Sequence, residues 1–170
     1  MLRISKLADY AVVLATWLAA REQRGERHTV RDLAAVTGIH QPTVGKILKH
    51  LARHGIVDSQ RGARGGYRLA ARPEDVPVAA IIEALEGPIA VTECASEETA
   101  GACEYEGRCG VQESWQRINA VVGRALESVS LADMAKPGLS PRELVPVARV
   151  GGERRMARAA GDVAADDWHG

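Results

Sequence analysis

The sequence predicts a mainly α-helical protein with one small β-hairpin, and three patterns support this fold class. Apolar residues recur at helical spacing in the stretches 5–21, 28–39 and 41–54. Two short alternating runs flank a glycine-rich turn at 62–66. A later stretch, 111–131, repeats apolar residues at steps of four and three, which is typical of a helix that pairs with another helix.

Length and charge narrow the possible classes of protein. The 170 residues are enough for one domain or two small ones. No run of eighteen apolar residues occurs and the beginning lacks the plan of a signal peptide, so we expect no membrane association and a cytoplasmic location. Residues 1–72 hold 13 basic and 5 acidic residues, whereas residues 73–170 hold 9 basic and 17 acidic residues. This division suggests that only the first part binds a polyanion.

The first predicted helix begins at Ser5, a favourable N-cap, and runs to about Arg21. Val12 and Val13 widen its apolar surface, as expected if a second surface packs on this helix. Asp9 lies beside that second face, where its simplest interpretation is a first-turn acid favoured by the helix dipole. The main apolar stripe consists of Leu7, Tyr10, Ala11, Leu14, Trp17 and Leu18.

Two shorter helices, over 28–39 and 41–54, are joined by a tight turn at Gly38. Thr29 can cap the first helix, and Pro42 suits the first turn of the second. The apolar residues predicted to face the core in the second helix are Val44, Ile47, Leu48 and Leu51. The residues predicted to be exposed are Thr43, Lys46, Lys49, His50 and Arg53. This pattern predicts a helix-turn-helix with a basic outer face.

The hairpin comes directly after these helices and predicts a wing. Its runs cover 56–61 and 67–70, and its turn places Arg61 and Arg64 on flexible backbone. Arginines in that setting are suited to reaching phosphates or a narrow minor groove. An ordinary hairpin with solvated arginines is less favoured because of the preceding helix-turn-helix. The fold class is therefore a winged helix-turn-helix followed by a long C-terminal helix.

We expect three regions along the chain. Residues 1–72 would form the winged helix-turn-helix domain, and 73–136 would hold a short helix, a cysteine loop and a dimerisation helix. Residues 137–170 show no sustained apolar period and would be a flexible tail. The apolar seam of the long helix consists of Val111, Trp115, Ile118, Val122, Ala125 and Val129. It can pack within one chain or against a second copy, and we favour a homodimer because the winged part is self-contained.

All three cysteines lie within sixteen residues, at positions 94, 103 and 109. The loop between them has few apolar residues, so the conformational entropy that it loses when it becomes ordered must be offset by another interaction. Thiolates closing on a metal centre would provide this, because metal binding can contribute folding free energy. We interpret 94–109 as an iron–sulfur cluster loop. Zinc is an alternative, although the close Cys-x-x-Cys pair of structural zinc sites is absent, and a metal-free thiol switch is another.

An enzyme is the less favoured class. Four histidines lie in the basic part and the fifth is His169, so no histidine lies in the cysteine loop to activate a thiol. The sequence contains no Walker loop, dinucleotide fingerprint or paired-carboxylate motif. We therefore expect no catalytic residues. A cluster-delivery protein would leave the winged helix without a purpose.

Several motifs together point to a known family. They are Leu2-Arg3-Ile4-Ser5-Lys6 with Asp9-Tyr10-Ala11, the wing 61–69, Glu86-Gly87-Pro88-Ile89, and the three cysteines. In this order the parts resemble the IscR/NsrR-type (Rrf-two) family of iron–sulfur and redox-responsive winged-helix transcriptional regulators, over about residues 1–135. Residues 91–94 and 115–134 look most like the branch that regulates the Suf cluster-assembly operon.

The resemblance implies a homodimeric repressor of iron–sulfur cluster assembly genes that binds a partly palindromic double-stranded DNA operator. The helix 41–54 would enter the major groove and the wing would lie along the minor groove. IscR has an acidic residue where this chain has Gly45, so the operator preference of IscR is not carried over. The implied DNA-binding residues are Thr29, Pro42, Thr43, Gly45, Lys46, Lys49, Arg53, Arg61, Arg64, Gly65, Gly66 and Tyr67.

The resemblance also implies that three thiolates hold a 2Fe-2S or 4Fe-4S cluster, namely those of Cys94, Cys103 and Cys109. IscR adds a histidine three residues after its last cysteine, where this chain has Gln112, a poor ligand. NsrR-like regulators use a carboxylate from the first helix of the other subunit, and Asp9 stands at the matching place. Asp9 of the partner subunit is thus the candidate fourth ligand, with a plain helix-start acid as the alternative.

Overall fold

The computed structural model describes residues 4–21, 26–62, 65–92, 103 and 108–136. In chain order the described elements are α1 (Lys6–Ala19), α2 (Val30–Thr37), α3 (Gln41–Arg53), β1 (Val57–Gln60), β2 (Gly66–Leu69), α4 (Val78–Glu86), α5 (Gln112–Glu127) and α6 (Leu131–Ala135). A short 3-10 turn at Pro73–Asp75 precedes α4. The predicted fold class, mainly helical with a two-stranded wing, is confirmed. None of the described helices is both long and apolar enough to span a lipid bilayer.

Helix α1 is the central helix of the core. Its N-cap is Ser5, whose hydroxyl accepts a hydrogen bond from Ala8 N at 3.2 Å. The residues buried along it are Ala8, Ala11, Leu14, Ala15, Leu18 and Ala19. The helix ends at Ala19, two residues before the predicted end. Beyond it, the guanidinium group of Arg21 lies 3.8 Å from the centre of the Trp17 ring.

Helices α2 and α3 form the helix-turn-helix as predicted. Thr29 and Asp32 form a capping box at the start of α2, and Gly38 ends α2 in the left-handed conformation with φ of 71°. All four predicted core residues of α3 (Val44, Ile47, Leu48, Leu51) are fully buried. The opposite face of α3 is left to solvent.

Strands β1 and β2 form an antiparallel wing in which Val57 pairs with Leu69 and Gln60 pairs with Gly66. The wing is also bonded to the chain before α2. His28 N donates to Tyr67 O at 2.9 Å, and Tyr67 N donates to His28 O at 2.8 Å. The hairpin therefore has a fixed base on the helix-turn-helix.

The predicted long helix over 111–131 is confirmed over Gln112–Glu127 and wrong at its end, because α5 ends at Glu127 and a separate α6 begins at Leu131. Ser130 caps α6 in a capping box with Asp133, and this local bonding stabilises a new helix start. The carbonyl of Val129 accepts a hydrogen bond from Val78 N at 2.8 Å. Val129 therefore lies in the connection, outside the predicted helical seam.

The rest of the seam is divided between two surroundings. Val122 lies with Leu126 along a groove whose other walls include Ile82 of α4 and the segment 86–91. In contrast, Trp115 and Ile118 of the seam are 36% and 45% exposed, and Val121, which is outside the predicted seam, is 56% exposed. No residue of α5 is buried. The outer face of α5 is thus an apolar surface without a covering element in the described part of the chain.

Candidate nucleic-acid interface and metal centre

The outer face of α3 is strongly basic. Between positions 33 and 73 the sequence holds seven basic residues and one acidic residue, Asp58. Asp58 pairs with Arg68 across the wing at 3.4 Å. Lys46, Lys49 and Arg53 are exposed and form no ion pair within the described residues. Unpaired cations on one helix face produce the local positive potential that attracts a polyanion.

A concave surface lies between α3 and the wing and brings together many of the predicted site residues. Its walls include Thr29, Gly65, Gly66 and Tyr67 together with Lys49, Arg53 and Arg61. Pro42, Thr43 and Lys46 lie on α3 outside this concave surface, and Gly45 is half-buried on the same helix. Arg64 lies outside the described residues.

The same concave surface contains residues that the sequence analysis missed, namely Arg31, Gln41, Ser59 and Gln60. Gln41 could have been found by helix geometry, because it precedes Gly45 by four residues and Lys49 by eight. Residues at that spacing lie on one face of a helix. Arg31, Ser59 and Gln60 come from other elements, and only the fold shows that they face α3.

Glycine is required at the base of the wing. A Cβ atom added to Gly66 would lie 2.8 Å from the backbone oxygen of His28, and its φ of 147° disfavours other residues. A Cβ atom added to Gly65 would also clash with backbone, namely with the carbonyl oxygen of Gln60. These two predicted residues therefore shape the concave surface through close backbone approach, whereas Gly45 has ordinary space around it.

Asp9 is exposed on α1 and lies at a groove on the outer side of that helix. The groove is lined by Val12, Val13, Thr16 and Trp17 from α1, with Val36 of α2 and Met134 of α6. Three of these apolar side chains are substantially exposed, at 43% for Val13, 54% for Val36 and 41% for Met134. The predicted second apolar face of α1 is confirmed.

Two of the three predicted metal ligands fall within the described residues. Cys103 and Cys109 are half-buried free thiols, and Cys94 lies outside the described residues. Gln112 N donates to the carbonyl of Cys109 at 3.3 Å, so Cys109 lies directly before α5. Among the described residues, no three potential ligands come together, and Asp9 therefore does not join these two thiols within one chain.

The segment leading to Cys94 is attached to the same helix. Val91 N donates to the side-chain oxygen of Asn119 at 3.0 Å. At the start of that segment, Glu86 accepts a hydrogen bond from Ser5 N at 2.8 Å, next to the first turn of α1. Val91 and Cys109 are therefore both hydrogen-bonded to α5, and Glu86 is bonded to the N-cap of the helix that carries Asp9.

The donor set fits an iron–sulfur cluster. Free thiols in a partly accessible position can deprotonate to thiolates, which are the usual ligands of such clusters. A weak carboxylate ligand from a second chain is compatible with this set, since Asp9 is exposed. The same thiols would also accept zinc.

The chain is similar in sequence to known transcriptional regulators. Residues 4–137 match the Rrf2 family, described as iron-dependent transcriptional regulators. The transcriptional regulator NsrR of Geobacillus kaustophilus is 25% identical over 144 residues, which cover 85% of this chain and 97% of NsrR. IscR of Aliivibrio salmonicida is 26% identical over 133 residues, covering 78% of this chain and 77% of IscR.

A solved structure shares the fold. CymR, the global cysteine regulator of Bacillus subtilis, superposes with a TM-score of 0.66 at 28% identity, over 79% of this chain and 97% of CymR. The match to Rrf2 spans the winged helix-turn-helix, the cysteine loop and α5. The chain belongs to the Rrf2 family, and it is a DNA-binding transcriptional regulator and not an enzyme.

Proposed function

We propose that an iron–sulfur cluster held by Cys94, Cys103 and Cys109 controls the affinity of this regulator for its operator. The observation that carries the proposal is that Cys109 and Val91, which precedes Cys94 by three residues, are both hydrogen-bonded to α5. The description of the Rrf2 family as iron-dependent also supports it. The regulated genes would be suf-type assembly genes, and the protein would act as a cytoplasmic repressor.

The regulator would work as a homodimer through the exposed face of α5. Trp115, Ile118 and Val121 offer an apolar surface of the kind that pairs helices. The groove on the outer side of α1 offers a second apolar surface, and Asp9 lies at it. A second copy that covers both surfaces would place Asp9 of the partner subunit near the cysteine loop, as its fourth ligand.

When bound, a cluster supplies a redox-active centre whose loss releases three thiolates. The chain's own residues would transmit that change. Cys109 precedes α5 directly, and Asn119 holds the approach to Cys94 against the same helix. Order in the loop therefore favours one position of α5, and α5 sets the distance between two recognition helices in the dimer.

DNA binding would use α3 in the major groove and the wing along the minor groove. Lys49, Arg53 and Arg61 border one concave surface, so they would contact phosphates on either side of a groove. Lys46 lies on the exposed face of α3, where its ammonium group can donate to guanine. A dimer with two such surfaces would bind a partly palindromic operator.

The test compares operator affinity with and without the cluster. Full-length protein purified without oxygen is titrated into a fluorescent operator duplex before and after chelation of its iron, alongside Cys103→Ala. We expect chelation to change the affinity of the wild-type protein at least about tenfold and to leave Cys103→Ala unchanged. Equal affinities for the wild type in both states would refute cluster control.

A metal-free thiol switch or a zinc site is the second candidate, and the two half-buried free thiols favour it equally. Relatives include a regulator described as a global cysteine regulator, CymR. In this case, oxidation by peroxide would change operator affinity in protein that contains no iron. Metal analysis separates the zinc form from the thiol form, because only the former contains one zinc ion for each chain.

A further inference from the structure

We propose that Gln41 is a specificity-determining residue that recognises an adenine in each half of the operator. Gln41 is exposed at the first position of α3. Its amide forms no hydrogen bond with any described residue, so both its donor and its acceptor are available. The inference rests on the proposed placement of α3 in the major groove and of the wing along the minor groove, and it goes beyond the proposed control by a cluster.

The position of Gln41 on α3 places its side chain beside the wing. Gln41, Gly45 and Lys49 follow one another at steps of four residues and share one face, and Gln41 and Lys49 both line the concave surface. Gly45 contributes no side chain between them. A Cβ atom at position 45 would meet only the side chain of Val30, at 3.8 Å. Gln41 and Lys49 therefore line the concave surface with no side chain between them on this face.

The chemistry of the amide selects the base. In the major groove, adenine presents the N7 acceptor beside the N6 donor, and a glutamine amide matches this pair with two hydrogen bonds. Gln41 is the only amide on α3. The other polar groups of this face, Lys49 and Arg53, are cations that suit phosphate or guanine.

Gln60 is the competing amide because it lines the same concave surface. It ends strand β1 in the wing. A wing along the minor groove meets base edges that are nearly the same for A·T and T·A pairs. Gln60 therefore cannot supply the distinction between adenine and thymine that Gln41 supplies.

The first experiment selects operators from a random duplex library with full-length protein and with Gln41→Ala. We expect the wild-type protein to require adenine at one position in each half-site and Gln41→Ala to accept all four bases there. On the wild-type operator, the variant should lose about 5- to 150-fold in affinity, which corresponds to one bidentate contact. Its affinity for unrelated duplexes and its salt dependence should be unchanged.

A second experiment assigns the contact to one atom. Replacing the selected adenine with 7-deazaadenine removes the N7 acceptor, so it should weaken wild-type binding and have no effect on Gln41→Ala. Gln60→Ala tests the competing amide, and loss of the response to 7-deazaadenine in that variant would assign the contact to the wing. The matched control is Gln116→Ala, which removes an exposed amide from α5 and should keep the wild-type preference and the wild-type response to 7-deazaadenine. Both experiments compare duplexes for one preparation, so their result is independent of whether a cluster controls affinity.

Three results would overturn the assignment. One is an unchanged base preference in Gln41→Ala. Another is a uniform loss of affinity on all duplexes with a weaker salt dependence, which is the signature of a phosphate contact. The third is an equal cost of 7-deazaadenine in the wild type and in Gln41→Ala.

Discussion

The backbones of His28 and Tyr67 exchange two hydrogen bonds, with N···O distances of 2.9 Å and 2.8 Å. His28 directly precedes Thr29, the N-cap of α2, and Tyr67 belongs to β2 of the wing. The His28 ring also packs edge-on against Trp17 of α1, with ring centres 4.7 Å apart. The position of the wing is therefore fixed by the helix-turn-helix and by the core helix together.

Replacing Gly66 with alanine should displace the wing, because the new Cβ atom would meet the His28 carbonyl at 2.8 Å. We expect a loss of about 1–3 kcal/mol in the free energy of unfolding, the usual cost of such backbone strain. Gly45→Ala is the matched control and should gain up to about 1 kcal/mol, since it adds helix propensity and its Cβ atom would make only a van der Waals contact with Val30 at 3.8 Å. Urea denaturation of both variants measures the difference. Equal stabilities would contradict the tight approach of wing and helix-turn-helix.

Asp133 should make part of the stability dependent on pH. Hydrogen bonds from Lys136 and then Ser130 lower the pKa of Asp133 from its usual 3.8 to about 2. A carboxyl group whose pKa is lower in the folded state stabilises the fold above its unfolded pKa and loses this effect as the pH falls through the folded pKa. We expect the stability gap between wild type and Asp133→Asn to be present at pH 6 and to shrink between pH 4 and pH 2.

The matched control for that measurement is Glu113→Gln, which removes a carboxyl group from an exposed pair with Arg117 at 3.9 Å. An exposed pair of this kind contributes little to stability. A gap for Asp133→Asn that is the same at both ends of the pH range would show that the capping box at α6 does not depend on ionised Asp133.

Ile118→Glu should separate the proposed dimer. Ile118 is 45% exposed on α5, and a carboxylate there would be buried without a partner in a helix pair. We expect the dimer dissociation constant to rise about 100-fold or more, given the cost of an unpaired buried charge. Gln116→Glu, on another face of the same helix, adds the same charge and should leave the dimer intact. Analytical ultracentrifugation measures both, and an Ile118→Glu dimer of wild-type strength would place the interface elsewhere.

Arg61→Ala should weaken binding to every DNA sequence. The slope of the logarithm of the binding constant against the logarithm of salt concentration should fall by about one, because one fewer counterion is released. Arg61 is exposed and borders the concave surface. Arg72→Ala is the control. Arg72 does not line that surface, and its guanidinium group pairs with Asp75 at an N···O distance of 3.0 Å. Fluorescence anisotropy over a range of salt concentrations gives both quantities. If the affinity of Arg61→Ala depended on salt as strongly as that of the wild type, Arg61 in the wing would not contact DNA.

The local elements could be predicted from the sequence because their signals are local. The cap at Thr29, the stop at Gly38 and the apolar spacing of α3 each act within a few residues, and the structure has all three as expected. The break after Glu127 was missed although Ser130 and Asp133 have capping-box spacing, because the apolar repeat continues through Val129. Capping decided the boundary there, and periodicity did not.

The assembled site depends on contacts between distant residues, which no local pattern encodes. His28 and Tyr67 are 39 positions apart, and Val91 and Asn119 are 28 apart. Gln41 was assigned no role from sequence because its role follows from the wing that faces it. Cysteines can be proposed as metal ligands from the sequence, because their side-chain chemistry suits metals. A residue that contacts a base can be proposed only when the fold shows which side chains face the DNA.

The most direct test of the account is the iron and acid-labile sulfide content of anaerobically purified protein, measured with its absorption spectrum. We expect a brown wild-type protein with iron and sulfide in equal amounts, and a colourless Cys103→Ala that contains neither. The ratio of iron to chain distinguishes a two-iron from a four-iron cluster. A colourless wild-type protein that also fails to bind iron and sulfide on anaerobic reconstitution would contradict cluster control.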